Sequence, residues 1–317
     1  MIKVMKDLKV IFMGTPEFSV NVLNSLICNS NVIAVVTKPD KLVGRKQVLT
    51  ESAVKKVALE NNIKVIQPIK IRNEYQDILD LNPDIIITCA YGQFLPKEIL
   101  DYPKYGCINV HASLLPQLRG GAPIHKAIIE GYTTTGITIM YMGEKMDNGD
   151  IISQKSIKIE NTDNVGTLHD KLSLLGADLL METIPNIING QINRLVQNED
   201  EVTFAYNISR EDEHVDFNKR KIEVFNQIRG LNPWPVAYAI LDDEEIKIYE
   251  VMIGEDIYQE KSNGEIVTLY KDGIGVKVSD GEIILKTIKP SGNKKMSVKD
   301  YLNGYKERDN LIGKIFR

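Results

Sequence analysis

Cysteine is scarce in this chain: Cys28, Cys89 and Cys107 are the only three among 317 residues. Three thiols with no Cys-x-x-Cys spacing exclude a disulfide-built fold and a four-thiolate zinc centre. This usage suits a reducing compartment, and Cys89 and Cys107, set in apolar runs, are expected as small buried hydrophobes. No run approaches the roughly 18 apolar residues of a membrane span. The N-terminal MIKVMKDLKVIFMG is interrupted by Lys3, Lys6, Asp7 and Lys9, unlike a signal peptide, so a cytoplasmic protein with no membrane contact is expected. Excess positive charge is missing too. The chain has 39 Lys and Arg against 43 Asp and Glu, a net charge of -4, so any attraction to a polyanion has to be local. The histidines at 111, 125, 169 and 214 lack ligand spacing, and no metal site is expected. FMGTPEF, at the first strand–turn–helix, contains Gly14 but no G-x-G-x-x-G, which disfavours nicotinamide or flavin binding.

What is present is the balance of a globular protein, 43% hydrophobic and 26% charged, long enough for two domains. In the first half, β-branched runs (8–14, 32–37, 63–66, 84–90, 106–112) alternate with helical patterns (from Thr15-Pro16-Glu17 as cap and first turn, then 52–60 and 73–81). Two further strands (135–142, 150–159) and a long amphipathic helix over 165–188 follow. That alternation predicts an α/β fold, a Rossmann-like, mostly parallel sheet with helices on both faces. After a polar, acidic stretch come a helix with Ile222, Phe225 and Ile228 on one side and Gly230 as its stop, then short strands split by DDEE, SNG, KDG and SDG. These predict a small OB-like antiparallel β-barrel. The expected division is 1–190 as catalytic domain, 191–207 as linker and 208–317 as C-terminal domain. Trp234, between Pro233 and Pro235, is expected as a buried anchor of the barrel rather than a stacking platform.

The most informative segment is CINVHASLLPQLRGGAP, 107–123. Asn109 and His111, two apart at the end of a strand, share one face, and ligands in open α/β sheets bind beyond the carboxyl ends of strands. An amide that can hold an oxyanion beside an imidazole that can carry a proton suits acyl chemistry. Such a histidine needs a carboxylate to orient it and stabilise its charge. Asp147, in the tight loop GEKMDNGD (143–150), is the first choice, with Asp150 and Glu144 as competitors. Ser113 to Pro116 would offer backbone donors and acceptors to a flat heterocycle, and Arg119 would meet an anion or tie down its loop. Two local basic clusters stand out. KPDKLVGRK (38–46) has Lys38, Lys41, Arg45 and Lys46 against Asp40, and 286–317 has nine Lys and Arg against three acids.

NVHASLLPQLRGGAPI followed by MDNGD resembles the signature of the formyltetrahydrofolate-dependent formyltransferases. FMGTPEFS, VTKPDKLVGR (36–45), AYGQFLP (90–96) and NPWPVAY (232–238) are similar to stretches of the branch that acts on initiator methionyl-tRNA, over nearly the whole chain. The resemblance implies a formyl transferase of translation initiation, with 10-formyltetrahydrofolate as donor co-substrate and initiator methionyl-tRNA as acceptor. It implies Asn109, His111 and Asp147 as the catalytic set and Ser113, Leu114, Leu115 and Pro116 as lining of the folate site. It also implies that the loop bearing Lys38, Lys41, Arg45 and Lys46 reaches the tRNA acceptor stem. A monomer is expected. Gly121, Asn148 and the pair His125-Lys126 depart from the family pattern at positions without a chemical role.

Overall fold

The structure, a computed structural model, describes residues 2–44, 46–305 and 308–317. The chain forms two compact units. One holds Met1–Pro123, Thr134–Lys158 and His169–Tyr206, and the other holds Ile124–Thr133, Ile159–Leu168 and Asn207–Arg317.

The elements run in chain order as α1 (Ile2–Asp7), β1 (Lys9–Gly14), α2 (Val20–Asn29), β2 (Asn31–Val36), β3 (Lys41–Val43), β4 (Val48–Thr50), α3 (Ala53–Glu60) and β5 (Lys64–Ile66). Next are α4 (Gln76–Leu79), β6 (Ile85–Cys89), α5 (Lys97–Leu100), β7 (Cys107–His111), α6 (Pro123–Ile129), β8 (Thr134–Tyr141), β9 (Ile151–Lys158) and α7 (Val165–Ile188). The main sheet has seven strands in the order β5-β2-β1-β6-β7-β8-β9. Pairing is parallel from β5 to β7 and antiparallel for β8 and β9. Alternate residues such as Val10 and Phe12, Ile11 and Met13 are all fully buried, so both faces are covered, which is why these strands are apolar without alternation. Ile11, Met13, Ile86 and Cys107 pack with Ile71, Ile78, Leu95 and Ile99 on one face. On the other, α7 lies on β7: a Cβ on Gly176 would meet Val110 Cγ1 at 2.9 Å. Asn109 and His111 continue the Cys107 row by parity.

The helix predicted over 73–81 is a single turn, Gln76–Leu79. Thr15 does not act as a cap; its buried hydroxyl has no hydrogen-bond partner, and the chain enters α2 through a 3-10 turn at Glu17–Ser19 behind an extended Pro16. Among the described residues no helix is long and apolar enough to cross a membrane.

In the second unit, α8 (Arg210–Glu213) and α9 (Lys221–Gly230) precede β10 (Ala237–Leu241), β11 (Glu244–Ile253), β12 (Ile266–Tyr270), β13 (Gly273–Val278), β14 (Gly281–Pro290), β15 (Met296–Ser297) and α10 (Val298–Gly304). The strands pair antiparallel in the order β10-β11-β14-β13-β12, with β15 on β14. The final residues join the two edge strands. Arg317 exchanges both backbone hydrogen bonds with Ile240, at 2.7 and 2.8 Å, while Gly313 and Lys314 bond Ile266 and Phe316 bonds Gly264. The edges that a six-stranded sheet would leave open are thereby bridged through the tail. Val224 and Ile228 of α9 face the core, but Ile222 is 42% exposed, because the buried side of the helix is centred on 224 and 228. Trp234 is likewise 42% exposed, not a buried anchor; it is the Pro233 ring that packs on the backbone at Gly166.

Phe316 is buried, with its ring 5.8 Å from Phe217. Replacing it by alanine empties that space and loosens the bridging tail, and Phe316→Ala is expected to cost about 3–5 kcal/mol. Urea unfolding measures this; an unchanged midpoint would mean the tail is not part of the closed sheet.

Candidate active site

The site grows from the end of β7. Asn109 pairs in register with Thr88 of β6, and the Thr88 hydroxyl donates to Asn109 Oδ1 at 2.8 Å. With its oxygen engaged, the carboxamide presents Nδ2 as its remaining donor. Two residues on, His111 is 6% exposed. Its Nε2 lies 3.1 Å from the Leu118 carbonyl, and its Nδ1 lies 3.7 Å from Asp147 Oδ2. The first is a hydrogen bond; the second is an ion-pair distance too long for one. A neutral ring therefore carries its proton on Nε2, held by Leu118, so that carbonyl sets the tautomer. Asp147 supplies negative charge at the other nitrogen.

Asp147 sits in a left-handed conformation, φ 47°, which Asp and Asn tolerate better than most residues. Its Oδ2 accepts from Gly120 N–H at 2.8 Å. Of the competing acids, Glu144 is exposed and 4.0 Å from Lys97. Gly120 has φ 128°, and a Cβ there would sit 2.5 Å from the Ala205 carbonyl, so only glycine lets its N–H reach the carboxylate.

The loop after His111 is organised from within. Ser113 donates to the Gln117 carbonyl at 2.6 Å. Thr138 of β8 donates to the Ser113 carbonyl and accepts from Leu115 N–H, and Gln154 donates to the Leu115 carbonyl. The carbonyls of Ser113, Leu114 and Leu115 and the Leu115 N–H are thus engaged by the protein itself rather than left open to a heterocycle. Leu115 is buried against Met140 and Ile151, leaving Leu114 and Pro116 as the half-buried apolar members of the quartet. Arg119, 4% exposed, ties down its loop: it bonds Gln197 and Glu199. Contact with it holds the Glu199 carboxyl below the usual range.

The basic loop is a hairpin of β3 and β4 with Leu42, Val43, Val48 and Leu49 exposed. Lys41 and Lys46 are exposed at its surface, whereas Lys38 is half-buried. Burial, then the neighbouring Lys41, hold the Lys38 ammonium below the usual lysine range; its Nζ lies against Gly92. Arg45 falls outside the described residues. Asp40, which only subtracts from the charge count, anchors the hairpin base through Lys55 at 2.6 Å and Gln67 at 2.9 Å. In the tail, Lys286 pairs with Asp272, Lys314 pairs with Asp242, and Lys295 lies over the Tyr249 ring.

Cys89 and Cys107 are buried; burial pushes the Cys89 thiol up to about 12 and raises that of Cys107 as well. Neither is poised as a nucleophile. No group of three or more His, Cys, Asp and Glu that could hold a metal ion occurs among the described residues.

Residues 8–184 match the formyl transferase family and 207–306 match the formyl transferase C-terminal domain. The chain is 52% identical over 300 residues to the methionyl-tRNA formyltransferase of Bacillus licheniformis, covering 93% of this chain and 95% of the relative. It is 52% identical over 311 residues to that of Staphylococcus aureus strain MW2, covering 96% and 98%. Among solved structures, an N-formyltransferase from Helicobacter canadensis, in complex with folinic acid and dTDP-3-aminofucose, superposes with a TM-score of 0.66 at 21% identity over 88% of this chain and 98% of that one. That likeness is one of fold. The chain belongs to the formyl transferase family and, within it, to the methionyl-tRNA formyltransferases.

Proposed function

We propose that this protein transfers the formyl group of 10-formyltetrahydrofolate to the α-amino group of initiator methionyl-tRNA. The observation that carries the reading is the approach of Asp147 to His111 at the end of β7, with Asn109 two residues before it on the same strand, in a chain 52% identical to methionyl-tRNA formyltransferases. The neutral amine attacks the formyl carbon, a C–N bond forms and the carbonyl oxygen becomes an oxyanion. Asn109 Nδ2, freed by Thr88, donates to that oxygen. His111 relays the proton lost by the attacking nitrogen to folate N10 as the C–N10 bond breaks, giving formylmethionyl-tRNA and tetrahydrofolate. Asp147 balances the imidazolium formed in passing. Leu114 and Pro116 serve the pterin as an apolar wall, while Ser113 and Leu115 shape the loop behind them.

The first 190 residues carry the catalytic set, 191–207 run on from them as the link to 208–317 while still bracing the site, and 208–317 bind tRNA, in a protein working as a cytoplasmic monomer. Lys41, Lys46 and the neighbouring Arg45 contact acceptor-stem phosphates, and Lys38 braces the base of their hairpin. A Lys41→Ala, Lys46→Ala double variant is expected to raise KM for methionyl-tRNA about tenfold. It should also flatten its salt dependence by up to about 2 in log–log slope, with KM for the folate unchanged. Equal slopes for variant and wild type would remove these lysines from the tRNA contact.

Offering the enzyme charged initiator tRNA, charged elongator tRNA, small amines and water as acceptors tests the function itself. Formylation of initiator methionyl-tRNA in preference to the others is the expected result. Preferred transfer to a small amine, or release of formate alone, would overturn it.

A further inference from the structure

Gln197 lies in a polar, acidic stretch with no periodicity, yet its side chain is 6% exposed. Its Nε2 donates to two carbonyls of the Asp147 loop, Asp147 at 2.8 Å and Gly149 at 2.7 Å. Its Oε1 accepts twice from Arg119, from Nε at 3.0 Å and Nη2 at 2.8 Å. All four hydrogen-bonding positions of the amide are filled, and exchanging its oxygen and nitrogen would set an acceptor against two carbonyls and a donor against a guanidinium. The orientation is therefore unique.

Arg119 stands between the two residues that address the catalytic pair. Leu118 gives its carbonyl to His111, and Gly120 gives its N–H to Asp147. The same strip is stitched to the segment beyond Gln197: Leu118 N–H bonds Thr203 Oγ1, and Arg119 exchanges backbone bonds with Thr203 and Ala205. One buried amide thus ties the Leu118–Gly120 strip to the 147–149 loop, the two pieces of backbone that set the spacing of His111 and Asp147. We propose that Gln197, acting with Arg119, is a positioning residue of formyl transfer, holding Asp147 at its working distance from His111. The proposal rests on the roles given above to His111 and Asp147.

Misplacing a reacting group by about 1 Å can cost on the order of a hundredfold in rate. Two variants separate position from packing. Gln197→Met keeps the volume and loses every polar contact. Gln197→Glu keeps an acceptor for Arg119 but turns a carboxylate oxygen on the Asp147 and Gly149 carbonyls, and retains enough of the network to decide the matter should Gln197→Met not fold. Each is expected to lower kcat roughly 10- to 100-fold with both KM values within about threefold of wild type. In an Asp147→Ala background the same Gln197 substitution is expected to cost less than about threefold, since residues acting through one another are not additive. Wild-type kcat in the Glu variant overturns the proposal. So does an equal loss with and without Asp147, which would make Gln197 a general stabiliser. Wild-type enzyme that transfers no formyl group to methionyl-tRNA would instead sink the functional reading on which the proposal stands.

Discussion

Asn109→Ala is expected to lower the single-turnover rate of formyl transfer about 100- to 1000-fold while leaving both KM values within a few-fold of wild type. The amide is worth most when the oxyanion exists and little when the formyl group is still planar, so its loss falls on the chemical step. A lost oxyanion donor typically costs about 2.7–4 kcal/mol. Thr88 makes the prediction specific. Its hydroxyl, 2.8 Å from Asn109 Oδ1, is what leaves Nδ2 as the free donor. Thr88→Val keeps the shape and lets the amide turn, and is expected to show a smaller loss in the same step. If Asn109→Ala instead raised KM for the folate with kcat intact, the amide would be a ground-state contact and another group would have to hold the oxyanion.

Asp147→Asn is expected to be comparably damaging, with a loss of roughly 10²–10³ in kcat. Asparagine tolerates the left-handed backbone at φ 47° and can still accept from Gly120 N–H, so the loop keeps its course and the change isolates the charge. What disappears is the negative charge 3.7 Å from His111 Nδ1, needed when the ring holds both protons in transit. The tautomer is unaffected, because Leu118 holds Nε2. The loss should therefore appear in kcat and leave the binding of either substrate alone. Full activity in Asp147→Asn would show that Gly120 and Leu118 suffice to orient the site.

Much of this arrangement was legible before any coordinates. Strands buried on both faces announce themselves as unbroken apolar runs, and i, i+2 parity alone puts Asn109 and His111 on one face. The tight loop made Asp147 the first choice but left Glu144 and Asp150 as competitors; the resemblance favoured Asp147 too, and the Gly120 N–H contact supplies the physical reason. Gln197 carried no signal at all. A buried glutamine far from its partners in sequence looks like any polar residue of a connecting stretch. At Ser113–Pro116 the motif reads as open backbone, whereas Thr138 and Gln154, from strands that follow it, take up the Ser113 and Leu115 carbonyls and the Leu115 N–H. The closing of the second unit's sheet by its last five residues was equally hidden, since edge-strand partners are set by tertiary position and not by local pattern.

The most direct test is rapid-quench transfer from 10-formyltetrahydrofolate to initiator methionyl-tRNA, under saturating single-turnover conditions, by wild type and His111→Ala. Formylmethionyl-tRNA is expected from the wild type and a rate at least about a hundredfold lower from the variant, with both substrates still bound. Product formed by His111→Ala at the wild-type rate would contradict the role given to His111.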